Sequence, residues 1–278
     1  MAKKKKLITC IFCGDIDVER SEEDVIPHWL ADKMAHYCRL ALGDENAKPA
    51  YTNFIYESPD QLVADQKAGT IGANASTRTV VGETPVAYKL LEVCKKCNGG
   101  WMEHLEHIVK LRLIPGLLEG KTKALDPFDQ LTLSMWAMKA CLAYDAVQTE
   151  RGVPEELGCQ LLYRNGYPLL YSVVLIAHYP EIKMDGEILH GRDLRYLERD
   201  VDCSALSISF RFGHFAIFTI INMPTARAIA SGRIIELPSG PKDDPRFIQI
   251  WPPTGGRIEW PSDGARASAS SSDSGVSQ

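Results

Sequence analysis

Two Cys-x-x-Cys pairs carry the strongest chemical signal in the chain: Cys10 and Cys13 in "CIFCG", and Cys94 and Cys97 in "CKKCN". In a reducing compartment such pairs are more often metal ligands than disulfides. Together they supply four thiolates, the number that a closed tetrahedral Zn2+ site takes. Gly14 ends the first pair and permits the tight backbone turn of a zinc knuckle. One pair alone also fits a thioredoxin-like redox motif, and two unrelated pairs remain the alternative to a shared metal. The other four cysteines, Cys38, Cys141, Cys159 and Cys203, are single and sit among apolar residues, where a free thiol acts as a small hydrophobe.

The oxygen and nitrogen donors near the knuckles come next. After the first pair stands "SEEDVIPHWL", with Glu23 and Asp24 ahead of Val25-Ile26-Pro27 and His28 four residues beyond Asp24. Directly after the second pair stands Asn98, opening "NGGWMEHLEH". An asparagine there can cap the following helix, its amide oxygen accepting from an orphan backbone N–H; it can also hold a cation. His104 and His107 are one helical turn apart, and Glu103 and His107 are neighbours at i, i+4, which suits ligands and a solvated helix face alike. Between Val86 and Lys123 there are seven Lys/Arg against four Glu, the one local basic surplus besides Lys3–Lys6 that could face phosphate.

The elements that must position these groups are readable in outline. Trp29, Leu30, Met34 and Tyr37 have helical spacing beyond Pro27. Residues 43–78 lack firm periodicity and read as an irregular insertion with one strand at "YTNFIY". "RTVVGETPVAYKLLEVC" predicts two strands around a Gly-Glu-Thr-Pro turn, a hairpin leading into the second knuckle. A helix is expected from Asn98 to near Pro115 and a longer one over 128–149. From Leu161 onward, "QLLYRNGYPLLYSVVLIAHY", "CSALSISFRFGHFAIFTIINM", "GRIIEL" and "RFIQIWPP" are β-branched and aromatic runs that predict a mainly antiparallel β region. Residues 262–278 are low-complexity and are expected to be disordered.

A knuckle, an acidic element ending in Ile-Pro, a hairpin, and a second knuckle with Asn at a helix start resemble the zinc-containing HNH endonucleases, whose ββα-metal core is an HNH-like treble clef. The layout is also similar to a bacterial HNH subgroup with "VIP-x-W-L" and "CN-x-G-W-M-x-x-L-E", here Val25 to Leu30 and Asn98 to Glu106, and with Trp-Pro pairs near the C-terminus, here Trp251-Pro252 and Trp260-Pro261. The nuclease motifs cover roughly residues 8–115. The resemblance implies that Glu23 is a metal ligand, that Asp24 stands at the general-base position, and that Asn98 completes a site for Mg2+ or Mn2+. Glu106 would be a supporting carboxylate, and the four cysteines would hold a separate structural zinc. The middle asparagine of the motif falls on Lys89.

Phosphodiester hydrolysis needs charge stabilisation at the phosphate and a base that titrates near working pH, which favours histidine. A carboxylate at position 24, with a reference pKa of ~3.9, is a poor base unless burial raises it, so His28 is the first candidate for the imidazole. The implied activity is metal-dependent endonuclease cleavage of nucleic acid, double-stranded DNA above all. A catalytically degenerate zinc module that binds nucleic acid or protein is the competing expectation. The fold class expected is α+β, with the zinc-stabilised core at 1–125, a helix plus β-rich domain at 126–261, and the tail. A net charge of −5 gives no overall pull toward polyanions. No segment approaches the ~20 apolar residues of a membrane helix, and the expected location is the cytoplasm.

Overall fold

The computed structural model describes residues 6–46, 50–55, 76–81, 89–149, 151–178, 190–199, 203–224 and 247–261. The Gly-Glu-Thr-Pro turn, the "GRIIEL" strand, the Lys3–Lys5 part of the basic run, much of the 43–78 insertion and the 262–278 tail lie outside them. The described chain is mixed helix and sheet, as an α+β protein is.

Strands β1 (Leu7–Ile8), β2 (Val18–Asp24) and β5 (Lys89–Cys94) form a small antiparallel sheet in the order β1-β2-β5. The first knuckle is the turn between β1 and β2. Gly14 adopts φ +76°, the left-handed conformation open to glycine, and its N–H closes the turn on the Cys10 carbonyl. The Ile11 N–H donates to the Glu92 carbonyl at 3.0 Å, docking the knuckle on β5. Along β2 and β5, Arg20 faces Cys94 and Asp24 faces Lys89, with an irregularity between Ser21 and Glu23.

Helix α1 (His28–Leu42) starts after Pro27 and stops at Gly43, which takes the left-handed C-cap conformation. It buries Leu30, Ala31, Met34 and Ala35 on one face. Helix α2 (95–118) follows the second knuckle and includes two wide, π-type turns at Asn98–Met102 and Val109–Leu113. Met102, Leu105, Val109, Leu113 and Leu117 keep one buried stripe through both. The helix continues past Pro115 to Leu118, because that proline falls in the first turn of the last segment, where its missing N–H is tolerated. The expected end near Pro115 is therefore three residues short.

Helix α3 (Pro127–Ala146) is buried nearly all round, from Asp129 to Asp145, as expected of a central helix. A capping box opens it: the Asp126 carboxylate accepts from the Asp129 N–H at 2.8 Å and Asp129 reciprocates. One side of α3 packs on α2 and the other on a seven-stranded sheet. That sheet runs β11-β7-β10-β9-β8-β3-β4, from β3 (Ala50–Ile55), β4 (Ser76–Val81), β7 (Ser172–His178), β8 (His190–Arg199), β9 (Cys203–Phe212), β10 (Phe215–Pro224) and β11 (Phe247–Trp251). All its pairings are antiparallel except β3 with β8. Two short strands, β6 (Lys123–Leu125) and β12 (Ile258–Trp260), pair beside it.

Two expectations are corrected. The predicted hairpin into the second knuckle does not form: both strands exist, but β4 pairs with β3 in the large sheet while β5 pairs with β2. The start of the expected β region is instead a short helix, α4 (Cys159–Asn165), ended by Gly166 in the left-handed conformation. Cys159 and Leu162, three residues apart, are its buried positions, a helical spacing inside a strand-like composition.

Candidate metal centre and adjoining cleft

Cys10 and Cys13 project from the first knuckle, Cys94 from the end of β5, and Cys97 from the first turn of α2. Their sulfurs all lie within 4.8 Å of one another. The Cys13 and Cys94 sulfurs are 3.8 Å apart, which matches the edge of about 3.8 Å of a tetrahedron with metal–sulfur bonds of ~2.3 Å. Backbone N–H groups of Cys94 and Cys97 donate to the sulfurs of Cys10 and Cys94, each at 3.4 Å. Such donors stabilise thiolate, the form that binds metal. A hydrogen bond from the Cys97 thiol, against the opposing effect of burial, draws the Cys10 thiol down to about 4, while burial pushes Cys13 up to about 12. The four cysteines thus form a cluster close enough to hold a metal ion, and a closed all-sulfur set is the kind that suits structural zinc.

Asn98 follows directly. Its Nδ2 donates to the Ser21 Oγ and to the Glu22 carbonyl, each at 2.8 Å. Since both acceptors are on β2, the amide laces the start of α2 to that strand. Beside it opens a cleft of about 520 Å3 lined by Ser21, Lys95, Asn98, Gly99, Glu103 and Glu106. No protein-family model, curated protein or solved structure matches this chain.

Glu23 is buried, and its carboxylate is ion-paired to Lys139 from the middle of α3. Lys139 is fully buried and donates at 2.6 Å to Glu106 as well. The Trp29 indole N–H lies 3.4 Å from the other Glu106 oxygen, joining α1 to the group. Burial raises the Glu23 pKa, and the neighbouring Glu106 charge adds to it. Burial alone would lower Lys139, but the two carboxylates outweigh it and hold the ammonium above the ordinary lysine value. Lys139 was not among the residues singled out in the sequence. The signal was there: one cation inside the otherwise apolar run "SMWAMKACLAY".

Asp24 and His28 meet at 3.2 Å between Oδ2 and Nε2, with the imidazole 60% exposed. Neither lines the cleft. Lys89, at the position of the motif's middle asparagine, binds Glu22 at 3.0 Å; that hydrogen bond lowers the Glu22 pKa. His104 and His107 join no metal-binding group among the described residues. The basic surplus is largely answered by acids, with Lys95 on Glu19, Lys96 near Asp15, Arg112 on Asp126 and Asp129, and Lys121 on Glu119.

For a divalent ion the resemblance names Glu23 and Asn98. Glu23 does not fit one as it stands, because its carboxylate is committed to a buried ammonium. Asn98 keeps its Oδ1 for a cation, since its two hydrogen bonds to β2 are made by Nδ2.

Proposed function

We propose that the chain is an HNH-type endonuclease module that hydrolyses phosphodiester bonds, with DNA as its substrate. The observation that carries this reading is the setting of Asn98. It lies on the first turn after a knuckle of a four-cysteine cluster, bonded to the strand that ends in Asp24, at the edge of a cleft that also holds Lys95. Cys10, Cys13, Cys94 and Cys97 would hold a structural Zn2+, which pins α2 against β2 and β5 and takes no part in the chemistry.

In this reading His28 replaces the histidine missing at position 24. An imidazole removes a proton from water near neutral pH. The Asp24 carboxylate, 3.2 Å from Nε2, orients the ring and stabilises the imidazolium once the proton has moved. Lys95 lines the cleft and would meet phosphate there by exchanging its Glu19 partner. Dependence on Mg2+ or Mn2+ is part of the proposal, as an expectation of the resemblance.

The test is incubation of the purified protein with supercoiled plasmid under Mg2+, Mn2+ and EDTA. Nicked and linear products are expected with a divalent ion and none with EDTA. His28→Ala should slow cleavage by roughly 10²–10⁴-fold, the range for a lost general base. A zinc-loaded protein that leaves plasmid intact under every ion would sink the reading.

A second reading, a non-catalytic zinc module that binds nucleic acid or protein, is favoured by one observation. The ammonium of Lys139 already pairs with the carboxylates of both Glu23 and Glu106. It predicts salt-sensitive retardation of DNA in a gel without cleavage.

A further inference from the structure

Three elements converge on one buried charge. Glu23 comes from β2, Glu106 from α2, and Lys139 from the centre of α3. Taking a lysine out of water within an all-round buried helix is costly unless charges and hydrogen bonds compensate it. Here the compensation exceeds what one ammonium needs: two carboxylates, with donors to both from the same Nζ. When all three groups are ionised, the cluster retains one uncompensated negative charge. Two carboxylates are instead matched in charge by a divalent cation, which takes carboxylate oxygens as ligands.

We propose that the Glu23–Glu106 pair is a cation-binding site whose resident cation is the Lys139 ammonium, standing where a divalent ion would otherwise be coordinated. The site is closed to metal in the wild-type chain because its cation is covalently part of the protein. Removal of the ammonium opens it to hard cations. This inference concerns the buried cluster alone and holds whether or not the chain cleaves DNA.

Trp29 makes the site observable. Its indole N–H is 3.4 Å from Glu106, so Tb3+ bound between the carboxylates would lie close enough to be excited through this ring. Zinc-loaded wild type, Lys139→Ala, Lys139→Ala/Glu23→Gln and Lys139→Ala/Trp29→Phe are titrated with Tb3+, with excitation of tryptophan. Lys139→Ala should show saturable terbium emission, displaced by Mn2+, that the wild type lacks. Adding Glu23→Gln should remove the binding. Adding Trp29→Phe should lower the emission while Mn2+ still binds, as read by its paramagnetic resonance. Equal emission from wild type and Lys139→Ala, or none from either, overturns the proposal.

Lys139→Ala leaves one buried carboxylate, Glu23, and one half-buried carboxylate, Glu106, without a cation and can fail to fold by itself. Recovery of its fold on adding Tb3+ or Mn2+ then supports the site. The neutral variant Lys139→Met/Glu23→Gln/Glu106→Gln shows whether the position accepts an uncharged cluster. If that variant folds and no ion restores Lys139→Ala, the proposal is wrong.

Discussion

At the scale of single residues, Asn98 has two employments that separate experimentally. Its amide makes two hydrogen bonds to β2, through Ser21 and the Glu22 carbonyl. Losing both should cost about 1–3 kcal/mol, at the usual ~1 kcal/mol or more per bond. Asn98→Ala is thus expected to destabilise the fold by that amount in urea denaturation, whatever it does to cleavage. A helix-start asparagine that served only a catalytic ion would leave stability unchanged. Asp24→Asn probes a different bond. It removes the carboxylate that holds the His28 ring at 3.2 Å, so plasmid cleavage should slow as the ring loses its orientation. An unchanged cleavage rate would place the base elsewhere.

At the scale of elements, the four cysteines join the first knuckle to a strand end and a helix start that lie 81 residues further on, from Cys13 to Cys94. Metal removal should therefore melt more than the knuckle. Metal analysis is expected to find about one zinc per chain, and Cys97→Ser or a strong chelator should lower the thermal midpoint of the entire transition, since structural zinc binding is coupled to folding. Helix α3 supplies a pH handle at its other end. The Asp126 carboxylate is held below the ordinary aspartate value, chiefly by the Asp129 N–H it accepts from and further by Arg112. A lowered folded-state value means stability that is present above the unfolded-state pKa and lost as pH falls through the lowered one. Asp126→Asn should accordingly lie closest to wild type in stability at the acid end of a pH series and furthest from it near neutrality.

At the scale of the whole molecule, one core runs from the knuckle residues Cys10 and Phe12 through α1, α2 and α3 to Phe210 and Ile217 of the large sheet. Helix α3 lies in its middle, and Lys139 is its polar link to the knuckle side. Breaking a buried ion pair by deleting one partner typically costs about 3–5 kcal/mol. Lys139→Met is expected to fall in that range by denaturant titration, and the triple neutral variant with Glu23→Gln and Glu106→Gln should recover much of the loss. A loss below about 1 kcal/mol, the level of exposed pairs, would mean that the group contributes no more than a surface ion pair.

Some of this was legible in the chain itself. The Cys-x-x-Cys pairs, the helical spacing of Trp29, Leu30 and Met34, the long apolar run of α3 and the β-branched runs after Ser172 are local patterns, and local patterns follow from backbone periodicity. The amphipathic stripe of α2 was equally plain, because side chains three and four apart share a face however the turns widen. Pairing was not legible. Whether β5 bonds to β4 beside it in sequence or to the distant β2 depends on which sheet covers which apolar face, and composition is silent on that. The same holds for Glu23: its type and position suited a metal ligand, but its partner is an ammonium delivered by a helix that begins more than a hundred residues later. Residue type and spacing determined which groups could do chemistry. Only the tertiary structure decided which charges they meet, because a buried carboxylate takes its role from the nearest cation that packing brings to it.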